Sequence, residues 1–251
     1  MSTPQIQIQA VAKRFGALTA LHGIDAEVPS GGALCILGPN GAGKTTLMRL
    51  VAALSRPTSG RILIEGNDLA SQAERIRRSL GVISHQTMLY EDLTARENLR
   101  FFADLYGIDD VEMRIDRVLE EVDLTERIDD LFRTFSRGMK QRLSIARAVI
   151  HEPSILLLDE PFTGLDTAAR DTLASSILRF RGEGRTIVLV THDLEQALAL
   201  SDEFIFLSQG RVALRGRTTD VDLPALQAHY RDVTEADIPL ESPEAQPSRS
   251  R

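Results

Sequence analysis

Apolar and polar residues alternate over residues 6–11 (IQIQAV), the period of a strand with one buried face. A second strand region over 18–28 (LTALHGIDAEV) is closed by Pro29 and the turn Gly31–Gly32. The pattern then changes, because ALCIL at 33–37 is apolar throughout and bounded by glycine, as a strand buried on both faces requires. TTLMRLVAAL follows with helical spacing and stops before SRPTSG. Short strands are expected at 61–66 (RILIEG) and 80–86 (LGVISHQ), with a charged helical stretch over 71–79 between them.

From 94 to 150 helical spacing prevails. Thr94 and Glu97 form a capping box ahead of ARENLRFFADLY. VEMRIDRVLEEV gives a second helix, and SRGMKQRLSIARAVI over 136–150 a third, with Ser136 near its start. Strands then return at 154–160 (SILLLDE), 185–192 (RTIVLVTH) and 203–210 (EFIFLSQG), alternating with helices at 167–181 and 193–200. This order predicts an α/β fold with a mostly parallel sheet, an N-terminal antiparallel β region and an inserted α-helical subdomain. The expected boundaries are 1–86 and 152–232 for the core and 87–151 for the insert. The polar, proline-bearing stretch 233–251 is expected to be a disordered tail. In the insert, Leu99, Phe102 and Leu105 are taken as the core line of one helix, and Met88, Leu89 and Tyr90 as an exposed apolar patch.

Composition narrows the partners. Among 251 residues, 29 basic side chains face 36 acidic ones, a net charge of −7, which argues against a nucleic-acid backbone as partner. A local pocket for one nucleotide stays open. The single cysteine, Cys35, lies in the apolar run ALCIL and reads as a buried core thiol in a reducing compartment. MSTPQIQIQ has no basic region followed by an apolar stretch, so no signal peptide is expected. The longest apolar runs fall well short of the ~20 residues of a membrane helix, so work at a membrane would go through a partner.

The chemistry concentrates in GPNGAGKTT. Gly38, Gly43, Lys44 and Thr45 satisfy G-x-x-x-x-G-K-[ST], the phosphate-binding loop of P-loop NTPases. The loop from Gly38 through Pro39, Asn40, Gly41 and Ala42 turns backbone N–H groups inward and opens a helix whose N-terminus favours an anion. Lys44 would reach the β- and γ-phosphates of ATP, the Thr45 hydroxyl would ligate Mg²⁺, and Thr46 completes the run. In ILLLDE four apolar residues bury a strand whose end projects Asp159 and Glu160. Asp159 would hold Mg²⁺ and Glu160 would orient or deprotonate the attacking water; alone, two acids could simply end a strand in solvent.

Further stretches give a resemblance. Over roughly 5–230 the chain resembles the nucleotide-binding subunits of ABC transporters, which are ATPases. Gln86 stands where that family has its Q-loop glutamine, a contact to Mg²⁺ or to the attacking water. FSRGMKQR (135–142) resembles the LSGGQ motif, so Ser136, Arg137 and Gly138 are assigned to nucleotide binding. TGLD (163–166) resembles the D-loop and places Asp166. His192 matches the switch histidine that contacts the γ-phosphate, and Phe15 the aromatic that stacks on adenine, with a place in the core as the alternative. The motif departs from the family at Arg137, where the pattern has glycine, and at Met139, where it has glutamine. Met139 cannot make the polar contact that a glutamine would make there.

The resemblance implies that the LSGGQ-like motif of one subunit closes ATP held by another. It therefore implies a homodimer in the ATP-bound state and an integral membrane transporter subunit docked on the helical insert. The location implied is the cytoplasmic face of the inner (plasma) membrane, as a peripheral protein. For cargo, GVISHQTMLYEDLTARENLRFFADLYG resembles ATPases of the haem-exporter type associated with cytochrome c maturation, and also those of drug, lipid or polysaccharide exporters. Haem export ranks first. A soluble ABC ATPase outside transport would usually carry a second loop, a coiled coil or a basic face, and this sequence has none of them. His85 and His151 are read as structural.

Overall fold

In the computed structural model, which describes residues 4–84 and 87–236, two sheets sandwich a helix. β1 (Pro4–Phe15) and β2 (Leu18–Pro29) form an antiparallel hairpin, and β4 (Ser59–Ile64) and β5 (Asn67–Asp68) extend that sheet in the order β2-β1-β4-β5. The larger sheet is built from β3 (Ala33–Leu37), β6 (Leu80–Ser84), β7 (Ile155–Asp159), β8 (Thr186–Val190), β9 (Glu203–Ser208) and β10 (Arg211–Arg217). Its order is β10-β9-β3-β8-β7-β6, all parallel except the antiparallel edge strand β10. The expected parallel sheet and antiparallel N-terminal region are therefore both present.

The uniformly apolar strands are buried on both faces, and side-chain alternation divides their residues between two cores. Leu34 and Ile36 of β3 join Val188 and Val190 of β8 and Leu157 of β7 in one core. Cys35 and Leu37 join Leu189 and Leu158 in the other. The first core lies between the sheets and takes α1 (Lys44–Val51) through Leu47, Met48, Leu50 and Val51. The second packs under α3 (Ala95–Tyr106), α4 (Val111–Glu121), α5 (Arg137–Val149), α6 (Thr167–Gly182), α7 (Leu194–Leu200) and α8 (Leu223–Ala236). Remaining is α2 (Leu69–Arg78), capped by Asp68. Cys35 is wholly buried, and burial pushes its thiol far above the ordinary range, which makes it an inert core group.

Three expectations change. Leu89 is half-buried against the core, so of the expected exposed patch only Met88 and Tyr90 are exposed. The line Leu99–Phe102–Leu105 is not the core face of α3, because Leu105 is 68% exposed. The buried stripe runs Ala95, Leu99, Ala103, spaced by four, and a helix of 3.6 residues per turn carries Leu105 off it. The last helix reaches Ala236, so residues 233–236 are helical rather than tail; 237–251 lie outside the described residues.

Candidate active site at the phosphate loop

The larger sheet gathers the predicted site residues at the carboxyl ends of neighbouring strands, where open α/β sheets bind their ligands. The phosphate loop follows β3. Next to β3 lies β8, which leads to His192, and next to β8 lies β7, which ends at Asp159 and leads to Glu160. Register fixes the alignment, with Ile36 opposite Val190, and Asp159 opposite both Val190 and Ser84. Gln86 lies outside the described residues.

The loop is held by backbone geometry. Gly38 has φ +146°, and a Cβ on it would come within 2.2 Å of the Leu207 carbonyl oxygen, so no other residue fits. Gly43 then opens α1 with no side-chain cap, which leaves the first-turn amides facing the loop. The Lys44 ammonium donates to the carbonyls of Gly38 at 2.7 Å and Pro39 at 2.9 Å and is 8% exposed. Burial lowers its pKa, and the negative fields of Glu160 and Asp159 oppose that shift.

Above the loop is a cleft of about 350 Å³ lined by Phe15, Asn40, Gly41, Gly43, Lys44, Thr45, Thr46 and Glu160. Leu18, Ala20 and Val190 complete the wall, and sequence reasoning had given them no part in it. Phe15 is 54% exposed, which removes the core alternative. The Lys13 ammonium sits 5.0 Å from its ring centroid, a cation–π contact.

Glu160 adopts φ +50°, a left-handed conformation that costs a non-glycine residue about 1–3 kcal/mol and clusters at functional sites. Its amide donates to the Val190 carbonyl at 2.9 Å, which ties the turn to β8. Its carboxylate Oε2 lies 2.8 Å from His192 Nδ1. Behind the pair, Asp193 caps α7 by accepting from the amides of Glu195 and Gln196, and its other oxygen pairs with Arg170. Among the described residues no group of three His, Cys, Asp or Glu side chains could hold a metal. One carboxylate, Asp159, and one hydroxyl, Thr45, still suit Mg²⁺, which keeps waters and takes its remaining ligands from phosphates.

The remaining predicted residues lie apart. Ser136 caps α5, its hydroxyl accepting from the Met139 amide at 3.3 Å. Asp166 caps α6, accepting from the Ala169 amide at 2.8 Å. An added Cβ on Gly138 would sit 3.4 Å from the Ala169 Cβ, so the two helix starts are neighbours. Among the described residues, none of 135–142 lines the cleft beside Lys44.

Residues 21–163 match the ABC transporter family. The chain is 38% identical over 223 residues to a daunorubicin resistance ATP-binding protein of Streptomyces coeruleorubidus, covering 88% of this chain and 71% of that one. It is 37% identical to a sulfate/thiosulfate import ATP-binding protein of Synechococcus elongatus, covering 88% of this chain and 65% of that one. Among solved structures, the ATP-binding subunit of an ABC transporter superposes with a TM-score of 0.83 at 32% identity, covering 92% of this chain and all of that one. An ATP-binding cassette solved as a dimer in a post-hydrolysis state, with ADP and phosphate, superposes at 0.78 and 26% identity, covering 85% and 98%. No helix among the described residues is long and apolar enough to cross a membrane. With Glu160 lining the same cleft as the phosphate loop and His192 paired to it, the chain belongs to the ABC transporter ATP-binding family and is an ATPase subunit of a transporter.

Proposed function

We propose that two copies of this chain close head to tail around two ATP, and that hydrolysis reopens them to drive a membrane partner. The observation that carries the chemistry is the 2.8 Å pairing of His192 with Glu160, which lines the cleft that holds Lys44. Lys44 and the loop amides from Gly38 to Thr46 bind the phosphates, and Phe15 stacks on the adenine. Thr45 and Asp159, with Gln86, would hold Mg²⁺, which neutralises phosphate charge when bound. Glu160 takes the proton of the attacking water as its oxygen bonds to the γ-phosphorus and ADP leaves. His192 orients that carboxylate and contacts the γ-phosphate.

Closure needs the second chain because Ser136 and Gly138 stand outside their own cleft. Their place at the start of α5 aims helix amides outward, where ATP on a partner can meet them. The insert, 87–151, receives the membrane subunit. Met88, Tyr90, Phe101 and Leu105 are each at least 43% exposed, and the rings of Tyr90 and Phe101 meet edge to face at 5.2 Å. On this reading the protein sits peripherally on the inner face of the plasma membrane. Export is the direction favoured by the similarity to a Nod factor export ATP-binding protein, although an import ATPase shares the cassette. Haem as cargo rests on sequence resemblance alone. Steady-state phosphate release from the wild type and Glu160→Gln, with nucleotide binding measured on both, tests the chemistry. Binding kept and turnover lost is expected; near-normal turnover in the variant removes Glu160 from this role.

A further inference from the structure

Two side chains one helical turn apart on α5 donate to the loop that follows Glu160. Arg137 Nη2 reaches the Thr163 carbonyl at 3.0 Å and Gln141 Nε2 reaches the Pro161 carbonyl at 3.3 Å. The i, i+4 spacing puts both on one face, and they bracket Phe162, which is anchored in the core at 4% exposure. Gln141 is itself 8% exposed, so packing already fixes its place. Arg137 is exposed and is held by the contact it makes.

That contact has a built seat. Gly164 has φ +70°, and a Cβ on it would lie 2.0–2.2 Å from the Arg137 guanidinium atoms. The guanidinium thus occupies the space where any other residue would carry its side chain. From there the link to the chemistry is short, because the Thr163 amide donates to the Glu160 carbonyl at 3.2 Å, and the Glu160 carboxylate meets His192. One continuous set of hydrogen bonds joins the first residue of α5 to the candidate base.

We propose that Arg137 is a positioning residue that ties the start of α5 to the 161–166 loop, so that ATP of a second chain engaging α5 sets the geometry of this chain's own Glu160. This rests on the two-ATP dimer proposed above. α5 moves as a rigid body when its N-terminus is drawn to a phosphate, and the guanidinium carries that shift to Thr163 and Gly164. Arg137 would couple the two ATP sites without touching substrate in its own cleft.

The test measures ATP hydrolysis by the full chain against ATP concentration for the wild type, Arg137→Ala, Arg137→Lys and Gly164→Ala. Each is paired with ATP affinity, a thermal melt, and light scattering on the same changes in a Glu160→Gln background. Arg137→Ala should bind ATP as the wild type does, melt normally and dimerise with ATP. Its kcat should fall about tenfold, the scale of a small misplacement of a reacting group. Its Hill coefficient should fall from near 2 toward 1, the loss of coupling between two sites. Arg137→Lys, which can still reach the Thr163 carbonyl, should lie between. Gly164→Ala, which displaces the guanidinium while Arg137 remains, should repeat the loss of cooperativity. Unchanged kcat and Hill coefficient in both Arg137→Ala and Gly164→Ala would overturn the inference, as would a loss of ATP affinity with cooperativity intact. If Glu160→Gln alone fails to dimerise with ATP, the dimer reading fails, and the inference with it.

Discussion

The nucleotide cleft and the start of α5 both carry predicted ATP contacts, yet they are built differently. The cleft is built within one chain, with Lys44, Thr45 and Glu160 on its wall and His192 paired to Glu160, on strands set by the register of β3, β8 and β7. The start of α5 has its cap, its glycine and an arginine that donates to the Thr163 carbonyl, and none of these residues lines the cleft. On the proposed reading, the difference means that binding belongs to one copy and turnover to two. A change at Lys44 should therefore act on binding by the isolated chain, and a change at α5 only on the assembled pair.

Glu160→Gln carries the largest expected effect. Removing a positioned base typically costs ~10²–10⁴-fold in rate, so turnover should collapse while the isolated chain still binds ATP. Lys44→Ala should do the opposite and lose nucleotide binding outright, measured by calorimetry on the single chain. Gly138→Asp draws the line between the two regions. It puts a carboxylate at the α5 N-terminus, where a partner's phosphate would repel it. Binding by the isolated chain should be normal and hydrolysis at least about tenfold down, each like-charge contact being worth a kcal/mol or more. Met139→Gln should do far less. Equal damage from the two would mean that the motif is aligned wrongly.

The outer face of the insert gives a third kind of change. Leu89 packs partly against the core, whereas Tyr90 and Phe101 are exposed. Tyr90→Ser with Phe101→Ser should abolish co-purification with the membrane subunit and leave the melt and ATP binding intact. A double variant that still captures its partner would move the docking surface elsewhere.

The fold's outline and the cleft were legible in the sequence because both rest on local rules. Uniform apolar runs mark strands buried on two faces, and a phosphate loop is a backbone shape written in glycines. β10 was not legible, because its residues alternate between exposed and half-buried and none is buried. The helix α8 escaped notice for a similar reason, since Leu226 is its buried residue in the core. Leu105 was misplaced because the stripe of α3 is carried by two alanines, which give a weaker signal than leucine. Arg137 looked like a departure from a motif; its partner, Thr163, lies 26 residues on, and only the tertiary structure joins them.

The smallest expected effect concerns stability at acid pH. His151 stacks on Tyr106 with ring centroids 3.8 Å apart, and its Nε2 lies 3.0 Å from the Leu80 carbonyl. Burial pulls its pKa down from 6.5 to about 4, and the nearby Arg147, Arg114 and Arg185 add to this, while the Leu80 contact opposes it. Between those values the unfolded chain binds a proton that the folded chain does not, so stability falls as pH drops from 6.5 toward 4. The full loss is up to about 3 kcal/mol. His151→Phe keeps the stack and should flatten that part of the denaturation curve, at about 1 kcal/mol for the lost hydrogen bond at neutral pH. An unchanged acid slope would place the responsible group elsewhere.

The central claim is that one chain holds ATP and two chains are needed to use it. Light scattering on Glu160→Gln measures this most directly, since the variant should bind ATP without consuming it. A monomer without nucleotide and a dimer with ATP and Mg²⁺, reverting when Gly138→Asp is added, is the predicted result. A monomer under every condition, or a dimer indifferent to ATP, would contradict it.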